Sequence, residues 1–136
     1  MLEANLTSIA RFYLPDADLV RVSISDLSGS GLAGLAWCSA SGYRVIEIDG
    51  GHVLIGRVFF HELGHHVLGH VVSKLSGSEL ERYRLLDIGQ MNFAETEKAA
   101  LQGFIDGREA EADAWAETAL AQFEARFGPF AKAIGG

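Results

Sequence analysis

Residues 56–70 read GRVFFHELGHHVLGH, and the placing of four histidines and one glutamate in this largely apolar stretch governs how the rest of the chain is read. From about Leu54 to Val72 the apolar positions recur at helical spacing, which predicts a helix. On a helix His61 and His65, four residues apart, project within about 40° of each other and lie one turn apart along the axis, so both imidazoles can reach one cation. Glu62 leans toward the same place, at a distance suited to a water beside that cation. This is the physical content of the H-E-x-x-H pattern, here His61-Glu62-Leu63-Gly64-His65. A zinc ion held by two imidazoles and one further ligand keeps a position for water, lowers the pKa of that water toward neutrality and polarises a carbonyl. Glu62 is the expected general base. The competing reading is a helix that carries imidazoles by chance; the helical context, the strands before it and the apolar flanks favour the metal. His66 and His70 repeat the four-residue spacing but project to roughly 140° and 180° from His61 on a continuous helix, so they are expected to face away as structural or exposed imidazoles. His52, in the loop before the helix, could border the cleft.

A third ligand must come from elsewhere. The longer H-E-x-x-H-x-x-G-x-x-H pattern needs glycine at 68 and histidine at 71, where this chain has Leu68 and Val71. No histidine follows His70, so the ligand should be a carboxylate. The segment GREAEADAWAETAL, residues 107–120, offers Glu109, Glu111, Asp113 and Glu117 on a predicted helix. Its apolar stripe runs through Ala112, Trp115, Ala116, Ala119, Phe123 and Phe127, and Glu109 and Asp113 border that stripe on one side. Glu111 falls on the opposite flank. Glu109 is therefore the favoured third ligand, with Glu111 the alternative, and Asp113 is placed to accept the second N–H of a ligating histidine. The same acids could simply favour the helix dipole as part of a capping arrangement.

The chain outside these segments sets the limits. With 136 residues and 49% hydrophobic content it is long enough for one ordinary core and too short for two, so a single domain over residues 1–136 is expected. Acidic residues outnumber basic ones, 18 to 11, and the formal charge of −7 disfavours direct nucleic-acid binding. One cysteine, Cys38, can form neither an intrachain disulfide nor a four-thiolate site. No basic-then-apolar leader and no spanning-length apolar run is present, which leads to the expectation of a soluble, cytoplasmic protein without membrane contact.

Leu2, Leu6, Ile9 and Tyr13 predict a short amphipathic helix stopped by Pro15. LVRVSIS (19–25), GLAGLAWCS (31–39) and YRVIEID (43–49) predict three strands, with SASG (39–42) as a hairpin turn. GSGLAG (29–34) matches a dinucleotide-binding spacing, but strand and turn follow it where a helix is needed. A short helix over Glu79–Leu86 and a longer one over 94–127, interrupted near Gly103 and Gly107, complete the reading. The fold class expected is α+β: a small mixed or antiparallel sheet against a zinc-binding helix and carboxy-terminal helices. Either GLAGLAW or YRVIEI could be an edge that holds an extended peptide. Residues 1–15 could form a helix that covers the cleft and keeps the protein latent.

With those residues in hand, the chain resembles the ImmA/IrrE-like family of gluzincin metallopeptidases. The likeness covers about residues 31–120: a strand ending in YRVIEID, a glycine-bearing loop, GRVFFHELGHHVLGH, then EAEADAWAETAL, similar to the family's E-x-E-A-N/D-x-F-A segment. The resemblance implies a zincin-like fold, one zinc ion per chain on His61, His65 and Glu109, and Glu62 as general base. It also implies a zinc-dependent endopeptidase whose substrate is a protein such as a transcriptional repressor. Many relatives carry a helix-turn-helix or sensor domain that is not seen here. Tyr43, His52, Tyr83 and Arg84 are unranked candidates for oxyanion stabilisation. The alternative class is a zinc-containing binding or regulatory module without turnover. Glu62, which is not a ligand, would have little purpose there.

Overall fold

The computed structural model describes residues 2–15, 17, 19–29, 31–39, 43–51, 55–71 and 95–134. The predicted turn SASG (39–42) beyond Ser39, the helix over Glu79–Leu86, and His52, Tyr83 and Arg84 lie outside the described residues. Helix α1 spans Leu2–Tyr13 and buries Leu6 and Ala10 on its apolar face. Strands β1 (Val20–Ser25), β2 (Gly34–Cys38) and β3 (Arg44–Asp49) form one sheet of order β1-β3-β2. β3 runs parallel to β1 and antiparallel to β2, so the sheet is mixed. β3 is central, and Val45, Ile46 and Ile48 are buried on its two faces, as an interior strand requires. The expectation that YRVIEI could be an edge is therefore corrected, and β2 holds that position. β2 begins later than the apolar run suggested, because Gly29 and Gly31 take positive φ of 85° and 77° in the preceding turn. That turn leads into a strand and not a helix, so the glycine spacing does not form a dinucleotide-binding loop.

The two edges of the sheet differ. Outward-facing amides of β1 donate to side chains of α1: Val22 N to Thr7 Oγ1 at 3.1 Å and Ile24 N to Glu3 Oε2 at 2.7 Å. α1 thus closes the β1 edge. It is an integral part of the core, with Leu6 and Ala10 fully buried. On β2, Ser39 N donates to Tyr43 O and Asp49 N to Ala33 O, so the ladder alternation turns the amide and carbonyl groups of Gly34, Ala36 and Cys38 away from β3. No strand among the described residues pairs on that side.

Helix α2 (Ile55–Val67) lies on the face of the sheet shared by Gly34, Ala36 and Ile46. Val58 and Glu62 rest directly on Gly34, where a Cβ would lie 2.8 Å from Val58 Cγ1 and 2.9 Å from Glu62 Cγ. Helix α3 (Glu95–Phe127) packs on the other side of α2 and runs unbroken through Gly103 and Gly107, correcting the expected interruption. A single turn, α4 (Phe130–Ala133), folds back so that Phe130 covers Gly56 and joins Phe59, Phe60 and Phe123 in a ring cluster. These rings meet Leu6, Val20, Val22, Ile46, Ile48 and Leu63 in the core. The architecture is α+β, an open three-stranded sheet with helices against it. No helix among the described residues is long and apolar enough to cross a membrane.

Candidate metal centre

α2 stops at Val67, short of the Val72 limit expected, and the reason is Gly69. Its φ of 75° is a left-handed conformation that glycine adopts without steric cost. His70 N donates to His65 O at 2.9 Å and Gly69 N to His66 O at 3.2 Å, the paired bonds of a Schellman helix end. Upstream of this turn, His61, Glu62 and His65 sit on regular helix and project as the spacing requires. Gly64 lets α3 approach: a Cβ there would lie 3.0 Å from Trp115 Cε3 and 3.4 Å from Ala112 O. That approach carries Glu109 and Asp113 to the two ligand histidines.

Donor atoms of three residues converge. His61 Nε2 lies 2.7 Å from Glu109 Oε2, His65 Nε2 3.1 Å from Glu109 Oε1, and the two Nε2 atoms 3.2 Å from each other. His61, His65 and Glu109 form the one group among the described residues whose ligand atoms cluster closely enough to hold a metal ion. The spacing suits a small cation, since ligands about 2.0–2.1 Å from zinc at tetrahedral angles stand roughly 3.3 Å apart. The outer nitrogens fit as well. Asp113 Oδ1 lies 2.6 Å from His61 Nδ1, and a carboxylate accepts, so Nδ1 donates and Nε2 is left with its lone pair toward the cluster when the ring is neutral. Among the flanking acids the structure brings Glu109 to both histidines, while Glu111 goes elsewhere: its Oε2 is 2.9 Å from His70 Nε2.

The charges respond to this crowding. Without a cation, the hydrogen bond to Glu109 pushes His61 up to about 9, against the opposing effect of burial and with help from the Glu62 and Glu109 charges and Asp113. Glu109 is held well below the usual carboxylate range, first by its hydrogen bonds to His61 and His65. Glu62 is buried and its carboxyl is pushed up to about 7, chiefly by burial, with both histidines opposing the shift. A carboxyl that titrates near neutrality is suited to general-base work.

The remaining histidines divide. His66 is structural: it is 3% exposed, Nε2 donates to Val45 O at 2.9 Å, and Nδ1 faces Arg44 Nη1 at 3.3 Å, while burial pushes it down to about 4. His70 does not face away, which corrects the projection on a continuous helix. Past Gly69 the chain reverses, and His70 Nδ1 comes within 3.0 Å of His65 Nδ1. A glycine immediately before a histidine at the end of a helical pattern was the sequence signal for it. Tyr43 lies with Arg21, Trp37 and Glu47 on the sheet face turned away from α2, which removes it from the oxyanion candidates.

No family model matches the chain, and no curated protein or solved structure matches it either.

Proposed function

We propose that the protein is a zincin-like metalloendopeptidase of the ImmA/IrrE-like kind, hydrolysing peptide bonds of a protein substrate such as a transcriptional repressor. The observation that carries this reading is the convergence of His61, His65 and Glu109 beside a buried, non-ligating Glu62. Zinc held by those donors would supply Lewis acidity for the scissile carbonyl and would acidify a water beside it. Glu62 takes a proton from that water as its oxygen bonds to the carbonyl carbon, then passes it to the nitrogen as the C–N bond breaks. Glu62 is buried beneath β2, and that burial raises its proton affinity above that of an ordinary carboxylate. The β2 edge, where Gly34, Ala36 and Cys38 turn amides and carbonyls outward, supports an extended peptide laid beside Glu62.

The test is Glu62→Gln, with zinc content and cleavage of fluorescently labelled casein measured together. We expect the wild type to cleave, and the variant to keep its zinc while losing at least about 100-fold in rate. Equal rates, or zinc-loaded wild type that leaves casein and a diverse peptide library intact, would point instead to a zinc-containing binding module.

A further inference from the structure

We propose that His70 and Glu111 are positioning residues of the metal centre, forming an imidazole-to-carboxylate relay that fixes the orientation and tautomer of His65. This rests on the reading that His61, His65 and Glu109 bind a cation. The two ligand histidines need the same thing, an acceptor for the outer N–H, and the structure meets the need in two ways. His61 Nδ1 is met directly by Asp113 at 2.6 Å. Among the described residues His65 Nδ1 meets no carboxylate; it faces His70 Nδ1 at 3.0 Å, and His70 Nε2 in turn faces Glu111 Oε2 at 2.9 Å.

The proton positions follow from the end of the relay. Glu111 as a carboxylate can only accept, so His70 Nε2 carries a hydrogen. In a neutral His70 that leaves Nδ1 as the acceptor, and His65 Nδ1 must donate to it. His65 Nε2 then presents its lone pair toward His61 Nε2 and Glu109, 3.2 Å and 3.1 Å away. His70 is itself held. It follows Gly69 in the Schellman turn, a motif that brings the side chain after the glycine against the side chain three positions inside the helix end, here His65. The contact usual there is apolar; here it is imidazole on imidazole. Arg108 of α3 donates to His70 O at 2.7 Å and Arg44 of β3 donates to Val71 O at 3.1 Å, so the turn is tied to helix and sheet alike. His70 is 8% exposed and the Glu111 side chain 65%, so the relay runs from a buried ligand outward to a solvated anion.

The experiment measures zinc affinity by competition with a chromophoric chelator for the wild type, His70→Ala, His70→Gln, Glu111→Ala and the double variant His70→Ala/Glu111→Ala, alongside the urea midpoint of each zinc-free protein. Loss of a partner that orients a metal-bound histidine weakens binding about 10–100-fold, and that loss is expected for His70→Ala. His70→Gln, whose amide oxygen can still accept from His65, should recover part of it. Because Glu111 acts through His70, Glu111→Ala should weaken zinc binding in the wild-type background and have no further effect once His70 is alanine. Zinc affinities within twofold of the wild type, or an effect of Glu111→Ala that persists in the His70→Ala background, would overturn the relay. Should His70→Ala fail to fold, the exposed Glu111→Ala decides alone by whether its affinity falls. A folded wild type that takes up no zinc removes the metal centre itself, an outcome distinct from a wild type that binds zinc with variants that match it.

Discussion

His61 and Glu62 are neighbours whose proton affinities are both raised in the cation-free protein, and the direction of each shift fixes a pH dependence. His61 titrates near 9 when folded against an ordinary value of 6.5, so its contribution to stability is complete below 6.5 and is lost as pH rises through about 9. Glu62 moves from 4.5 to about 7, so the native state again holds a proton that the unfolded chain has released, and stability falls across that window. Glu109 has the opposite sign: lowered from 4.5, it contributes above that value and ceases to as pH falls through its depressed folded value. His66, lowered from 6.5 to about 4, gains stability as pH rises between those values and offsets Glu62 up to 6.5. The urea midpoint of the zinc-free protein should therefore stay roughly level from pH 4.5 to 6.5 and decline from there toward 9. A cation must displace the His61 proton, so zinc affinity should rise with pH by up to about tenfold per unit between 6.5 and 9. Calorimetry in buffers of different ionisation enthalpy reads the released proton directly. A zinc affinity flat across that range would show that His61 does not carry the proton the cation replaces.

Which residues could be read from the sequence depends on whether they lie inside an element or past its end. His61, Glu62 and His65 occupy uninterrupted helix, where 3.6 residues per turn fixes their directions, and the same holds for Glu109 and Asp113 along α3. His70 was lost because the period was carried through Gly69, whose left-handed backbone ends the helix and reverses the chain. Glu111 was lost with it, since a carboxylate on the far flank of α3 has a role only once its partner has been moved there. Glycines separate in the same manner, and sequence alone does not rank them. Gly103 and Gly107 lie in the interior of α3 with nothing within 4 Å of an added Cβ, so alanine at each should stabilise by about 0.5–1 kcal/mol in urea unfolding. Gly34→Ala should instead cost about 1–3 kcal/mol, because its Cβ would meet Val58, Glu62 and, at 3.1 Å, the backbone oxygen of Glu47. An unchanged midpoint for Gly34→Ala would mean that α2 rides more loosely on β2 than this contact implies.

At the scale of the whole molecule, the strand order was not legible, because the alternation that marks β1, β2 and β3 carries no information on which of them is central. The mixed order β1-β3-β2 has a consequence for the amino-terminal helix, which sequence could assign either to the core or to a cover over the cleft. With β3 in the middle, β1 is an edge, and the carboxylate of Glu3 and hydroxyl of Thr7 accept its outward amides. Leu6 and Ala10 fill the space between α1 and the sheet, while Tyr13 sets its ring against Phe60 and Trp115. Those contacts reach α2 and α3, the two helices that carry the metal ligands. Removing residues 1–15 should therefore unfold the protein and abolish zinc binding, leaving nothing to activate, and Leu6→Ala alone should cost about 2–5 kcal/mol. Circular dichroism and zinc uptake on the shortened chain measure this directly. A truncated protein that stays folded, binds zinc and cleaves casein faster than the full chain would restore α1 as a cover, and would mean that the sheet keeps its form without the helix that closes its β1 edge.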